Sequence, residues 1–127
     1  MNFVYLIIVM VSLQFFFFGI MVGVAREKFQ VKAPAISGNE HFERYFRVHA
    51  NTLEQLIQFI PALLIAAQFW KPEIMAAIGV VFFVGRIIYY KQYVADPAKR
   101  SLGFALTMLP TLILLLASLV GIIKSFI

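Results

Sequence analysis

The first 25 residues contain no charged side chain. As a helix, Asn2 to Ala25 reaches roughly 35 Å, enough to cross a bilayer's hydrocarbon core with some tilt. Three more long apolar stretches follow. One runs from the region of Glu40 to Phe42 to about Trp70, one from about Glu73 to Tyr93, and one from the region of Pro97 to Arg100 to about Phe126. Hydrophobic residues make up 62% of the 127 positions, charged residues only 13%, and the mean hydropathy is +0.90. A soluble domain carries about 25% charge, and so short a chain cannot hide this much apolar surface from water. The solvent is therefore lipid. The expectation is an all-α membrane protein: one domain over residues 1–127, folded as an up-down bundle of four transmembrane helices. Lys71-Pro72 and Asp96-Pro97 are connections too short for any other arrangement.

The net charge of +5 does not point to nucleic acid. The basic residues gather at the ends of apolar runs, as the positive-inside rule describes. Arg26, Lys28 and Lys32 lie in the first loop, with Arg44 and Arg47 just beyond it, and Lys91, Lys99 and Arg100 lie around the third. Only Lys71 and Lys124 lie on the opposite side. Loops one and three are thus expected in the cytoplasm, with both termini facing away. The N-terminal run does not read as a cleavable signal, because its first basic residue is Arg26 and its apolar part fills a whole span. With no cysteine, disulfides, thiolate metal sites and a cysteine nucleophile are excluded.

Within the first span, Gly19 and Gly23 form a small-xxx-small pair suited to close helix approach, or are simply lipid-facing. Phe15 to Phe18 point all round the helix and serve packing and lipid contact. The second span is the informative one. Arg47, Asn51, Glu54 and Gln58 follow i, i+4, i+7, i+11, which places them within about 60° of one another on one helix face. Ionisable groups in a membrane face the bundle interior or a watered cavity. Two readings fit. An Arg47–Glu54 ion pair could tie helices together. Alternatively the stripe is a polar ligand site, offering a cation for a carboxylate, an amide, and an anion for an ammonium group. Those are the parts that hold an amino-acid headgroup. His49 lies off the stripe and suits a hydrogen bond on a second face.

Span three carries Arg86, Tyr89, Tyr90 and Tyr93 at i, i+3, i+4, i+7, which reads as one face. Tyrosines here fit either an aromatic belt or ligand contact. Arg86, within an apolar run, is harder to assign to the belt. Arg100 stands at the start of span four, where the helix dipole is already positive, and so requires an anion. Lipid phosphate, Asp96, an anionic ligand or a thiolate would each serve.

These segments resemble the MAPEG superfamily, the membrane-associated proteins of eicosanoid and glutathione metabolism. The resemblance spans essentially the whole chain. It rests on Glu43-Arg44-x-x-Arg47-x-His49-x-Asn51-x-x-Glu54, supported by Arg86-x-x-Tyr89-x-x-x-Tyr93 and Arg100-Ser101. It implies a homotrimer that binds glutathione as co-substrate between adjacent subunits. By that likeness Arg47, Asn51, Glu54 and Tyr89 would hold the γ-glutamyl end. Arg26 and His49 of the neighbouring subunit would meet the glycine carboxylate, Tyr93 would line the site, and Arg100 would face the sulfur as the catalytic group.

Gln55, Glu27 and Phe104 depart from the specialised leukotriene C and prostaglandin E synthases of the family. Gln55 replaces a tyrosine of the first that contacts glutathione, Glu27 a second arginine of the same enzyme, and Phe104 a tyrosine of the second. The resemblance then implies a general microsomal-type glutathione transferase, acting on a lipophilic electrophile or reducing a lipid hydroperoxide. The thiol of glutathione would be the nucleophile, so the missing cysteine is no obstacle. The other reading is a non-catalytic lipid- or glutathione-binding protein similar to the lipoxygenase-activating protein; the retained arginines, Arg100 above all, count against it.

Overall fold

The computed structural model describes residues 1–127. Helix α1 spans Asn2–Phe29, α2 Glu40–Phe69, α3 Pro72–Ala95 and α4 Ser101–Ser125. All four are long and apolar enough to cross a membrane, and the protein is a multi-pass integral membrane protein. Each of α1 and α4 packs on both α2 and α3.

α1 continues four residues past the expected stop at Ala25. Arg26, Glu27 and Lys28 are good helix formers, and Arg26 and Lys28 complement the negative end of the dipole. The helix ends where Gln30 turns left-handed, at φ 57°, and Val31 N–H donates back to Arg26 O at 3.0 Å. α2 begins at Asn39, whose Oδ1 accepts from Phe42 N–H at 3.0 Å, with Glu40 and Glu43 in the positive first turn. Pro72 occupies the first position of α3, where its missing N–H costs nothing. Asp96 Oδ1 accepts from Ala98 N–H, so Pro97–Lys99 forms a separate 3₁₀ turn before α4. The fourth span therefore starts at Ser101, just past the expected region.

Between α1, α2 and α3 the core contains Val4, Ile7 and Val11 against Phe59 and Phe82, whose rings stack at 3.8 Å. Buried hydroxyls satisfy themselves on their own helices, as lipid requires: Thr52 donates to Val48 O, Thr107 to Gly103 O and Ser118 to Leu114 O. Leu13, Phe16, Ile57, Leu109 and Leu112 are exposed on the outside, in keeping with a hydrocarbon solvent.

The Gly19–Gly23 pair divides. Gly19 makes room for the His49 ring, whereas nothing approaches Gly23 within 4 Å. The tightest contact lies elsewhere: Gly103 of α4 rests on the backbone of Tyr89 in α3, where any Cβ would collide. This contact lets the first turn of α4 lie directly against the tyrosines of α3.

Candidate functional site

The stripe on α2 is realised as a chain of charge-assisted contacts. Arg47 Nη1 donates to Glu54 Oε1 at 3.1 Å and Nη2 to Oε2 at 3.4 Å. Asn51 Nδ2 donates to Glu54 Oε2, also at 3.4 Å. The Arg47 and Glu54 side chains are 49% and 53% exposed in the single chain. Their ion pair lies within one helix and joins no second helix of this chain, so it does not act as glue between them.

Beside the stripe is a cavity of about 670 Å³, lined by Arg47, Asn51, Tyr89, Tyr93, Arg100, Ser101 and Phe104. α2 supplies its cation and amide. α3 supplies two tyrosines, their rings stacked at 5.3 Å. The Gly103 contact brings in the first turn of α4. Arg100 Nη1 donates to Pro97 O at 2.9 Å, and Arg100 forms no ion pair. Its charge thus has no protein counter-ion.

Arg86 lies behind the cavity and is completely buried. Its Nε donates to Thr107 Oγ1 at 3.0 Å, and its Nη1 to Asn51 Oδ1 at 2.8 Å and Thr52 Oγ1 at 3.2 Å. The guanidinium lies 4.1 Å from the centre of the Tyr89 ring. Nη2 is buried without a partner. Because Asn51 Oδ1 accepts from Arg86, the Asn51 amide must turn its N–H₂ toward Glu54. One buried side chain thereby links α2, α3 and α4 and sets the orientation of a cavity group.

Tyr90 does not share this face. It stacks on Phe18 of α1 at 4.9 Å, since one residue turns the helix by about 100° away from Tyr89. The single face read from span three thus splits into Arg86, Tyr89 and Tyr93 toward the cavity and Tyr90 toward α1.

Arg26 and His49 do not line the cavity. Arg26 Nη1 donates to Ala35 O at 2.6 Å and Val31 O at 3.4 Å, folding the first loop over the end of α1. Its guanidinium lies 4.8 Å from the Phe42 ring centre. His49 stacks on Phe15 at 4.4 Å, on the α1 side of α2. Within one chain, then, six of the eight candidate residues gather around the cavity and its edge: Arg47, Asn51, Glu54, Tyr89, Tyr93 and Arg100.

The MAPEG family profile matches residues 4–120. The chain belongs to the MAPEG family. A protein of Synechocystis described as uncharacterized is 46% identical over 104 residues, covering 82% of this chain and 76% of its own length. The human microsomal glutathione S-transferase 2 is 34% identical over 110 residues, covering 87% of this chain and 75% of that protein. A probable microsomal glutathione S-transferase of Dictyostelium discoideum is 29% identical over 80 residues, covering 63% of this chain and 54% of that protein.

Sequence reasoning about this MAPEG chain left Arg86 out of the site, although its charge inside an apolar run was a visible signal. It gave Thr52, Thr107 and Gly103 no role at all. A threonine or glycine in a transmembrane helix is common enough to carry no signal by itself.

Proposed function

We propose that the protein is a membrane-bound glutathione transferase, joining glutathione to a lipophilic electrophile through a thiolate stabilised by Arg100. The observation that carries this reading is the polar cavity inside an apolar bundle, with Arg47 and Asn51 on one wall, Glu54 bonded to both of them at its edge, and an unpaired Arg100 on another wall. The γ-glutamyl end of glutathione has a carboxylate and an ammonium group. Inserted between Arg47 and Glu54, it replaces one ion pair with two. Tyr89 and Tyr93 line the rest of the tripeptide's path toward Arg100.

An arginine stays protonated and cannot serve as the base. Its charge favours the thiolate over the thiol, so the thiol proton leaves to water at a lower pH than it otherwise would. The thiolate then bonds to the electrophilic carbon, and the leaving group departs with its electron pair. Acting on a hydroperoxide, the thiolate would take the terminal oxygen as a sulfenic acid and release an alcohol. A second glutathione would then give the disulfide and water.

Glu54 and Gln58 are exposed in the single chain in the middle of α2, and Arg47 is exposed about two turns from its start. Lipid does not tolerate that arrangement. A second and third copy covering this face remove the conflict, and Arg26 and His49 of a neighbour would complete the site at the glycine carboxylate. The cavity and loops one and three face the cytoplasm. In this cysteine-free chain, single cysteines at Ser37 and Ser125 test that assignment. An impermeant thiol reagent added to the cytoplasmic face should label the first and not the second; the reverse pattern inverts the topology.

The direct test of the enzyme reading is Arg100→Ala. Glutathione should still bind, because the groups for its zwitterionic end are intact. The ultraviolet thiolate absorbance should disappear, and turnover with a lipophilic model electrophile should fall about ten-fold or more, the factor for one pKa unit. Unchanged turnover would take the thiolate away from Arg100. Wild-type protein that binds glutathione without thiolate or turnover would be a binder, not an enzyme.

A further inference from the structure

Arg44 stands one turn into α2, three residues before Arg47 and so about 4.5 Å from it along the helix axis. It does not line the polar cavity. Its side chain is only 16% exposed, and its Nη1 donates to Val94 O at 3.2 Å and to Ala95 O at 3.1 Å. These carbonyls belong to the last turn of α3, where a helix has no N–H of its own to offer them. α3 carries no basic residue in that turn, so the cation at its negative end comes from α2. Glu40 bonds Nη2 at 2.8 Å and so restrains the guanidinium from the other side. From Ala95 the chain reaches Arg100 in five residues. That link is bonded within itself: Asp96 Oδ1 accepts from Ala98 N–H at 3.1 Å, and Pro97 O accepts from Arg100 Nη1 at 2.9 Å.

We propose that Arg44 is a positioning residue: by clamping the end of α3 to α2, it fixes where Arg100 stands relative to the Arg47 wall of the cavity. The inference rests on the transferase reading above and deepens it. The Gly103 contact sets the start of α4 on α3, but it does not set either of them on α2. Arg86 joins α3 to α2 at Asn51 and Thr52, yet it lies eight residues before Val94, roughly 12 Å deeper along α3. Near the mouth of the cavity, the Arg44 bonds to Val94 O and Ala95 O make that connection. They act on the residue next to Tyr93 and, through the short link, on Arg100. A thiolate gains from a cation only at close range, so a loosened link weakens the stabilisation without removing the charge.

The experiment follows the ultraviolet thiolate absorbance of bound glutathione against pH, with the full chain in detergent and glutathione saturating. Arg44→Ala should raise the pKa of the bound thiol by about one unit. Affinity for S-methylglutathione, which has no thiol to ionise, should not change. Turnover with a lipophilic model electrophile should be about ten-fold lower at a pH below both pKa values and should converge on wild type above them. Arg44→Lys keeps the charge and a donor but cannot hold two carbonyls and Glu40 in one plane. It should raise the pKa by less, and it decides the matter if Arg44→Ala does not fold. Added to Arg100→Ala, Arg44→Ala should lower turnover no further, because it acts through Arg100. A wild-type thiolate whose pKa is unmoved in Arg44→Lys and in a folded Arg44→Ala would overturn the inference and leave the transferase reading standing. So would a loss of turnover equal at every pH, weakened binding of S-methylglutathione, or an additive loss in the double variant. Wild-type protein that binds glutathione without forming a thiolate would overturn both.

Discussion

Glu54→Gln should weaken glutathione binding about thirty-fold while leaving the assembly intact. The substitution keeps the shape of the side chain and its contact with Asn51, but removes the anion that faces the ammonium group of the ligand. Loss of one partner from a hydrogen-bonded charge pair costs about 2–5 kcal/mol. The lower end applies because Arg47 and Glu54 are both about half exposed in the single chain. Arg47, freed of Glu54, still holds the ligand carboxylate, so binding is weakened and not abolished. Calorimetric titration of both proteins checks this, with size-exclusion chromatography to follow assembly. Unchanged affinity would remove Glu54 from the site. Dissociated subunits would mean that the Arg47–Glu54 pair serves the interface between copies.

Arg86→Ala should have the largest effect on stability, and should weaken glutathione binding as well. Arg86 is fully buried and donates to three side chains on two other helices, Asn51 and Thr52 of α2 and Thr107 of α4. Truncation opens a cavity between α2, α3 and α4 and leaves Asn51 Oδ1 unpaired. Together these losses amount to about 3 kcal/mol or more. The two threonines suffer less, since each hydroxyl still donates within its own helix. The Asn51 amide becomes free to turn away from Glu54, which links a stability defect to a binding defect. Arg86→Lys retains the charge, but a single ammonium on a flexible stem cannot hold Thr107 and Asn51 in the same planar arrangement. It should therefore recover more stability than affinity. The melting midpoint in detergent and a glutathione titration separate the two effects. A stable Arg86→Ala protein with normal affinity would show that Asn51 is oriented without Arg86.

The spans were legible because the bilayer imposes a length and an apolar composition that no soluble element needs. Their ends were less so: charged residues are good helix formers, and α1 uses Arg26 to Lys28 to project beyond its apolar run. The stripe on α2 was legible because polar residues at i, i+4, i+7 in an apolar helix have few alternative explanations. What escaped was relational. The approach of α4 to Tyr89 depends on Gly103, and the buried Arg86 is matched by threonines on two different helices. Neither is visible along one chain direction. Tyr90 was grouped with Tyr89 because i+3 and i+4 both fall near one face, although only packing decides which neighbour each residue meets. The trimer entered through family resemblance alone; the exposed polar face of α2 is a physical reason for that face to be covered and does not count the copies.

The most direct test of the central claim is a titration of glutathione into the detergent-solubilised protein near neutral pH, in two buffers of different ionisation enthalpy. A free thiol titrates near pH 8.5 and is largely protonated under these conditions. If the protein binds glutathione as a thiolate, binding releases protons, rising toward about one per occupied site as the bound thiol pKa falls well below the working pH, the linkage expected for a lowered thiol pKa. S-methylglutathione, which has no thiol proton, should bind with no such release. Proton release with glutathione and none with its methylated form is the predicted result; absence of saturable binding, or binding with no difference in protons between the two ligands, would contradict the account.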